Sequence, residues 1–158
     1  MQINDIHTLA RSLLNMDIGD DDPGKLMAYT NPAISFINNS RVAARDPETI
    51  KQIVIKDPIA KPDDFLAFSP PTAVIPVVIT DGMVTRAPGA PPSVVLKYSI
   101  KVARVSNVND TFPLPDEYAD MVALYIMIRL KKDNNTPMAE ELTILDRDVQ
   151  AFVKAKGG

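Results

Sequence analysis

Between Met121 and Leu130 only Arg129 interrupts a run of apolar residues, the longest apolar stretch of helical length in the chain. A surface helix normally shows one apolar stripe and one polar face. A helix that is apolar nearly all round needs cover on more than one side. In a chain of 158 residues that leaves two arrangements. Either this helix runs through the middle of the fold, or part of its cover comes from another chain.

The remaining pattern divides into helical ends and a strand-rich middle. Ile6, Leu9, Leu13 and Met16 recur at spacings of three, four and three and predict a first helix over about residues 4–16, capped by Asn4 or Asp5. His7 and Arg11 fall off that stripe, so His7 is expected to face solvent. Leu26, Met27, Ala33, Ile34, Ile37 and Val42 predict a second helix over about residues 24–45. Asn31-Pro32 interrupts it, either as a kink or as a fresh start capped by Asn31. Asp46-Pro47 ends it or opens a short turn.

From Ile50 to about residue 106 the period shortens to that of strands. Ile53 and Ile55 alternate with polar neighbours, Phe65 to Phe68 forms a second short strand, and Val74 to Thr80 a third. Asp81-Gly82 predicts a tight hairpin, because a primed turn needs positive φ at both central residues. Ser93 to Val105 reads as a long half-buried strand, with Val94, Leu96, Tyr98, Ile100 and Val102 on one face and Lys97, Ser99 and Lys101 on the other. Eight prolines between Pro58 and Pro92 imply stiff loops between these strands.

The apolar helix spans about residues 115–132, with Pro115 at its first position, acidic residues in its first turn and basic ones in its last. After Asp133-Asn134-Asn135, Thr136-Pro137 starts a final helix over about residues 137–155, whose stripe is Leu142, Leu145, Val149, Phe152 and Val153. The short loop makes these two helices an antiparallel pair. The pattern predicts a single α+β domain: a helical bundle of two N-terminal and two C-terminal helices, with a small antiparallel β-sheet or β-sandwich inserted between them. The candidate core or subunit-interface residues are Tyr118, Met121, Leu124, Tyr125, Ile128, Leu142, Leu145, Val149 and Phe152.

Composition narrows the chemistry. The formal net charge of −3 gives no electrostatic reason for tight binding to nucleic acid or an anionic membrane. No Cys is present and His7 is the one histidine, which removes thiolate sites and most metal and triad chemistry. No signal peptide or membrane span is expected, and the setting is expected to be cytosol-like. The acidic stretch Asp17 to Asp22 invites a calcium reading, but its register fails: counting from Asp17, the sixth position is Asp22 rather than Gly and the twelfth is Ala28 rather than Glu. It reads as a solvated turn, with Asp22 capping the next helix. Replacing Asp20, Asp21 and Asp22 by Asn is therefore expected to leave the Tm unchanged with or without calcium. A calcium-dependent rise in the Tm of the unmodified protein would overturn that reading. No cofactor is called for, and no nucleotide fingerprint, phosphate loop or nucleophile–base pair stands out.

One block carries more than periodicity. Thr111 to Asp133, TFPLPDEYADMVALYIMIRLKKD, resembles the C-terminal helical hairpin of tailed-phage head-to-tail adaptor (connector, neck) proteins. There a Pro-Asp-Glu-Tyr-like lead-in follows the last strand and precedes an apolar helix with an aromatic residue in its middle. Tyr29 to Ile37, YTNPAISFI, looks like that family's second helix, with Pro32 as a departure, and Phe65 to Pro71, FLAFSPP, is similar to its aromatic strand ending in prolines. The resemblance implies a non-enzymatic virion protein of the phage neck, assembled from subunits in the host cytoplasm. It implies a homo-oligomeric ring, commonly of twelve subunits, that binds the portal protein on one side and a tail or nozzle protein on the other. Genomic DNA would pass through the lumen without sequence-specific binding. The family has no catalytic, cofactor or metal residues to carry over. An over-apolar helix also fits a ring interface. The competing expectations are a tail terminator or another neck protein and, from a different class, a soluble ligand-binding module or small enzyme whose core helix is simply central.

Overall fold

The computed structural model describes residues 1–14, 23–131 and 138–157, and the chain divides into two compact units, Met1–Ala44 with Val102–Gly158 and Arg45–Lys101. The fold is α+β, with two N-terminal helices, a strand-rich insertion and two C-terminal helices. Met16, the acidic residues Asp17 to Asp22, and residues 132–137, where the sequence predicts a break and a helix start, lie outside the described residues.

The first unit is helical. It contains α1 (Ile3–Leu14), α2 (Pro23–Ala43), α3 (Ala119–Lys131) and α4 (Met138–Gly157). The helix α3 packs against α1, α2 and α4 of its own chain. Ala119, Val122, Ala123, Tyr125, Ile126, Met127 and Ile128 are all buried, which accounts for its apolarity around nearly its whole circumference. The choice posed by the sequence is resolved toward the middle of the fold, and the apolarity of α3 needs no second chain to explain it. The lead-in differs from expectation. Pro115 is the N-cap of a 3-10 turn, Asp116–Tyr118, and α3 begins only at Ala119. Tyr118 is wholly buried, edge-on to Phe152 at 5.5 Å and beneath the Arg41 guanidinium at 4.4 Å.

In α1 the buried face is Ile3, Ile6, His7 and Ala10, rotated from the expected stripe, and Leu13 is 51% exposed. The expectation that His7 faces solvent is thus wrong: it is buried, with Nε2 2.8 Å from Thr30 Oγ1. The Thr30 hydroxyl donates to the Leu26 carbonyl at 2.7 Å, so its oxygen is left to accept from His7 Nε2–H. Residues 108–111 hold the start of α1 in this rotation. Gln2 bridges Thr111, Ile3 N–H donates to the Asp110 carbonyl at 3.0 Å and Asn4 N–H to the Val108 carbonyl at 2.8 Å. The loop after the strands therefore takes up the orphan donors of the helix start. Neither Asn4 nor Asp5 is the cap; Asp5 reaches back to the Gln2 N–H at 2.8 Å, half of a capping box.

The helix α2 runs without a break through Pro32, so Asn31 does not start a fresh helix. Pro32 has no N–H to offer the preceding turn. Ser40 donates to Asp146 at 2.5 Å, a part-buried bond that ties α2 to α4, and Gln150, one turn on in α4, donates to the same carboxylate at 2.9 Å.

The second unit carries β1 (Ile50–Ile55), β2 (Ile59–Ala60), β3 (Phe65–Phe68), β4 (Val77–Thr80), β5 (Met83–Arg86) and β6 (Val94–Ile100). They form two antiparallel sheets, ordered β1-β6-β3 and β2-β5-β4. Ile55, Leu96 and Tyr98 from the first and Val84 from the second share one small core. Asp46 accepts from the Glu48 N–H at 3.1 Å and opens a 3-10 turn, Pro47–Thr49, that leads into β1. Asp81 and Gly82, at φ 50° and 74°, make the predicted primed hairpin between β4 and β5.

Two strand expectations are corrected. The third strand starts at Val77, after Pro76, and Val74 is almost fully exposed, because proline cannot donate to the ladder. The long strand stops at Ile100 rather than Val105. Lys101 N–H still donates to the Asp64 carbonyl, but beyond it Val102 packs into the helical core and the Val105 backbone bonds to a side chain of α2. Ser99, expected on the solvated face, is buried.

Candidate functional site

Among the described residues no group of three or more His, Asp or Glu is placed to hold a metal ion. A cluster of titratable side chains lies in the strand unit. Lys51 on β1 and Tyr98 on β6 face each other in register, and both reach Asp64 in the turn before β3. Lys51 Nζ is 2.5 Å from Asp64 Oδ2, and the Tyr98 hydroxyl donates to Asp64 Oδ1 at 3.1 Å. The Lys51 hydrogen bond, with a smaller share from Tyr98, holds the Asp64 carboxyl below the usual carboxylate range. Its Lys51 partner is held charged to higher pH, mainly by the same bond. Burial, then the bond to Asp64, pushes the Tyr98 hydroxyl up. That is the wrong direction for a nucleophile or base at neutral pH. The cluster is a latch that fastens the turn before β3 across β6 to β1.

The latch gives a pH prediction. The folded state binds the Asp64 proton less readily than the unfolded chain. Its contribution is present above the unfolded carboxylate value and is lost as pH falls through the lowered folded value. Asp64→Asn is expected to lower the Tm at pH 7 and to flatten its decline in acid. Tyr98→Phe is expected to cost about 1 kcal/mol at pH 7. A Tm–pH profile of Asp64→Asn that superimposes on that of the unmodified protein would show that the latch carries no stability. Asp110 titrates in the same direction, because the Ser106 and Asn107 backbone N–H groups bond its carboxylate.

Among the described residues, surfaces that can receive a partner include apolar grooves and a basic cleft. In the helical unit Leu124 lines two neighbouring grooves. One, of about 250 Å³, lies between α3 and α4, with Ile144 and Leu145 in its wall and Glu141 and Asp148 at its edge. The other, of about 330 Å³, lies between α1 and α3, with Leu9, Leu13 and Asp120. In the strand unit a cleft of about 420 Å³ is floored by Pro47, Ile50 and Pro70 and rimmed by Arg45, Lys51 and Lys97.

The nine residues named from the sequence all belong to the helical core. Tyr118, Tyr125, Ile128, Leu145 and Val149 are buried, and Met121, Leu124, Leu142 and Phe152 are half-buried against it. The geometry separates Leu124 from the others, since it alone lines both grooves. Sequence reasoning predicts that Leu124→Asp, like Ile128→Asp, destroys folding or assembly. With solvent at the groove, the carboxylate stays hydrated. The folding cost is expected to be about 1–2 kcal/mol, read as a modest fall in Tm. An unfolded Leu124→Asp variant would place that side chain in the sealed core instead. The sequence alone does not single out Arg45 or the latch; it places Lys97 on the polar face of the long strand, as a solvated or partner face, and reads Asp63-Asp64 as solvated surface. The Lys51–Asp64 pairing is set by a turn and a strand register, and only the alternation of β6 hinted that Tyr98 points inward.

No protein-family model matches the chain, and no curated protein matches it.

Proposed function

We propose that the chain is a non-enzymatic structural protein of a tailed-phage virion, a head-to-tail adaptor that assembles as a ring beneath the portal and joins it to the tail. The observation that carries this reading is the placement of the family-like block. Thr111 to Lys131 supplies the lead-in, the buried Tyr118 and a central helix with Tyr125 in its middle, in a chain whose elements follow the adaptor order of two helices, a strand insertion and two helices. A second support is that open surfaces of the helical unit are apolar grooves suited to protein contacts. Among the described residues no helix is long and apolar enough to cross a membrane. Mass spectrometry of purified virions, with the chain located in a density map of the neck, tests the proposal. The expected result is several copies between portal and tail. Virions that lack the chain, together with purified protein that fails to bind portal assemblies, would sink it.

A further inference from the structure

We propose that copies of this chain associate head to tail, the acidic apolar grooves at Leu124 of one copy receiving the basic cleft at Arg45 and Lys97 of the next. The proposal deepens the adaptor reading and rests on it for its biological setting, but its argument is the complementarity of two surfaces.

Among the described residues, those that line the grooves in the helical unit include Asp120, Glu141 and Asp148 and no cation. Asp148 has Arg147 Nε at 3.9 Å, with both side chains well exposed, an arrangement worth little. One Glu141 carboxylate oxygen is shut off from solvent without a hydrogen-bond donor among the described residues. The cleft in the strand unit has the opposite sign: three cations line it and no carboxylate does. Lys51 is already paired with Asp64, whereas Arg45 and Lys97 are exposed and have no ion-pair partner among the described residues.

The whole units follow the same division. Residues 45–101 hold seven Lys/Arg against six Asp/Glu, a net +1, and the rest of the chain holds ten against fourteen, a net −4. Apolar surface flanks both charged rims, with Leu13 at 51% and Ile144 at 42% exposure on one, and Pro47, Ile50 and Pro70 on the other. Apolar centres with charged edges are the usual anatomy of a protein interface, where the edges choose partner and register.

The two surfaces share no residue, so an arrangement in which each copy offers its groove to one neighbour and its cleft to another is heterologous. Such contacts repeat from copy to copy and build rings or filaments. A second copy suits the cleft better than nucleic acid. Among the described residues no aromatic side chain lines it for base stacking, and a unit of net +1 is a weak polyanion binder.

Sedimentation velocity of the full chain at low and physiological salt tests this. The expected result is concentration-dependent association that weakens with salt. Arg45→Glu with Lys97→Glu, or Asp120→Lys with Asp148→Lys, is expected to raise the dissociation constant by at least about tenfold. The chain carrying all four substitutions is expected to return to within about threefold of the original. Circular dichroism confirms that each variant is folded. The chain has no Cys, so a second arm needs no reversal of charge. Lys97→Cys mixed with Asp148→Cys is expected to give a mixed disulfide on oxidation, well above an equal mixture of Lys97→Cys with Val74→Cys.

Association that ignores the reversals and cross-links no better than the control overturns this contact and leaves the ring reading standing. A chain that stays monomeric at every concentration overturns it also. So does a chain that binds a short DNA duplex through Arg45 and Lys97 but not its own copies. Virions that lack the chain overturn the adaptor reading while the contact stands.

Discussion

Ile128→Asp is expected to leave almost no folded protein at 25 °C. Ile128 is 3% exposed on a helix packed against α1, α2 and α4, and only its edge reaches the groove between α3 and α4. The substitution removes the burial of a branched side chain and adds an unpaired charge to an apolar core. Together these cost about 5 kcal/mol or more, comparable with the whole stability of a domain this size. Ile128→Val, which only trims a methylene, is expected to cost about 1 kcal/mol. Urea unfolding followed by far-UV circular dichroism reads both. An Ile128→Asp variant that unfolds cooperatively within a few degrees of the original Tm would show that α3 is not the centre of the helical core.

The second large effect is expected at Asn31. Its side-chain NH₂ donates to the Val105 carbonyl and its side-chain oxygen accepts from the Val105 N–H, both at 2.9 Å. This amide completes the backbone bonding of Val105, which is 7% exposed, as a strand partner would. Asn31→Ala leaves two backbone groups without partners and is expected to cost about 2–4 kcal/mol. Asn31→Asp keeps the acceptor but sets an anion against the Val105 carbonyl. Its cost at pH 7 is expected to match or exceed that of Ala, and part of it should be recovered in acid, where the protonated carboxyl donates. Equal Tm–pH profiles for Asn31→Asp and the original chain would refute the paired-bond role.

The contrast between these two sites shows what could be read in advance. Ile128 was legible because helix burial is written in local periodicity. An apolar residue at every register position has no other use in water. The sequence offers Asn31 as a possible cap beside Pro32 and as part of the family-like second helix, and neither reading gives it this partner. Its partner is 74 positions away, and no local pattern reports a side chain that bonds a distant backbone. His7 shows the same limit. The stripe through Ile6, Leu9 and Leu13 was a fair helical signal, but the residues 108–111 that hold the start of α1 rotate the buried face to Ile3, Ile6, His7 and Ala10. The grooves at Leu124 are another case, since nothing in an unbroken apolar run distinguishes the one half-exposed position that lines both of them.

By itself the sequence determined the order and kind of the elements: four helices, a strand insertion, the Asp81-Gly82 hairpin and one helix apolar enough to be central. Each follows from the conformational limits of a few neighbouring residues and from the period at which apolar side chains recur. Only the tertiary structure decided which face of α1 turns inward, where β6 ends, that α2 passes Pro32 unbroken, and which rim charges are left without partners. Those outcomes depend on hydrogen bonds and packing between residues far apart in the chain, where the competing local choices differ by only a kcal/mol or so and the long-range partner tips the balance.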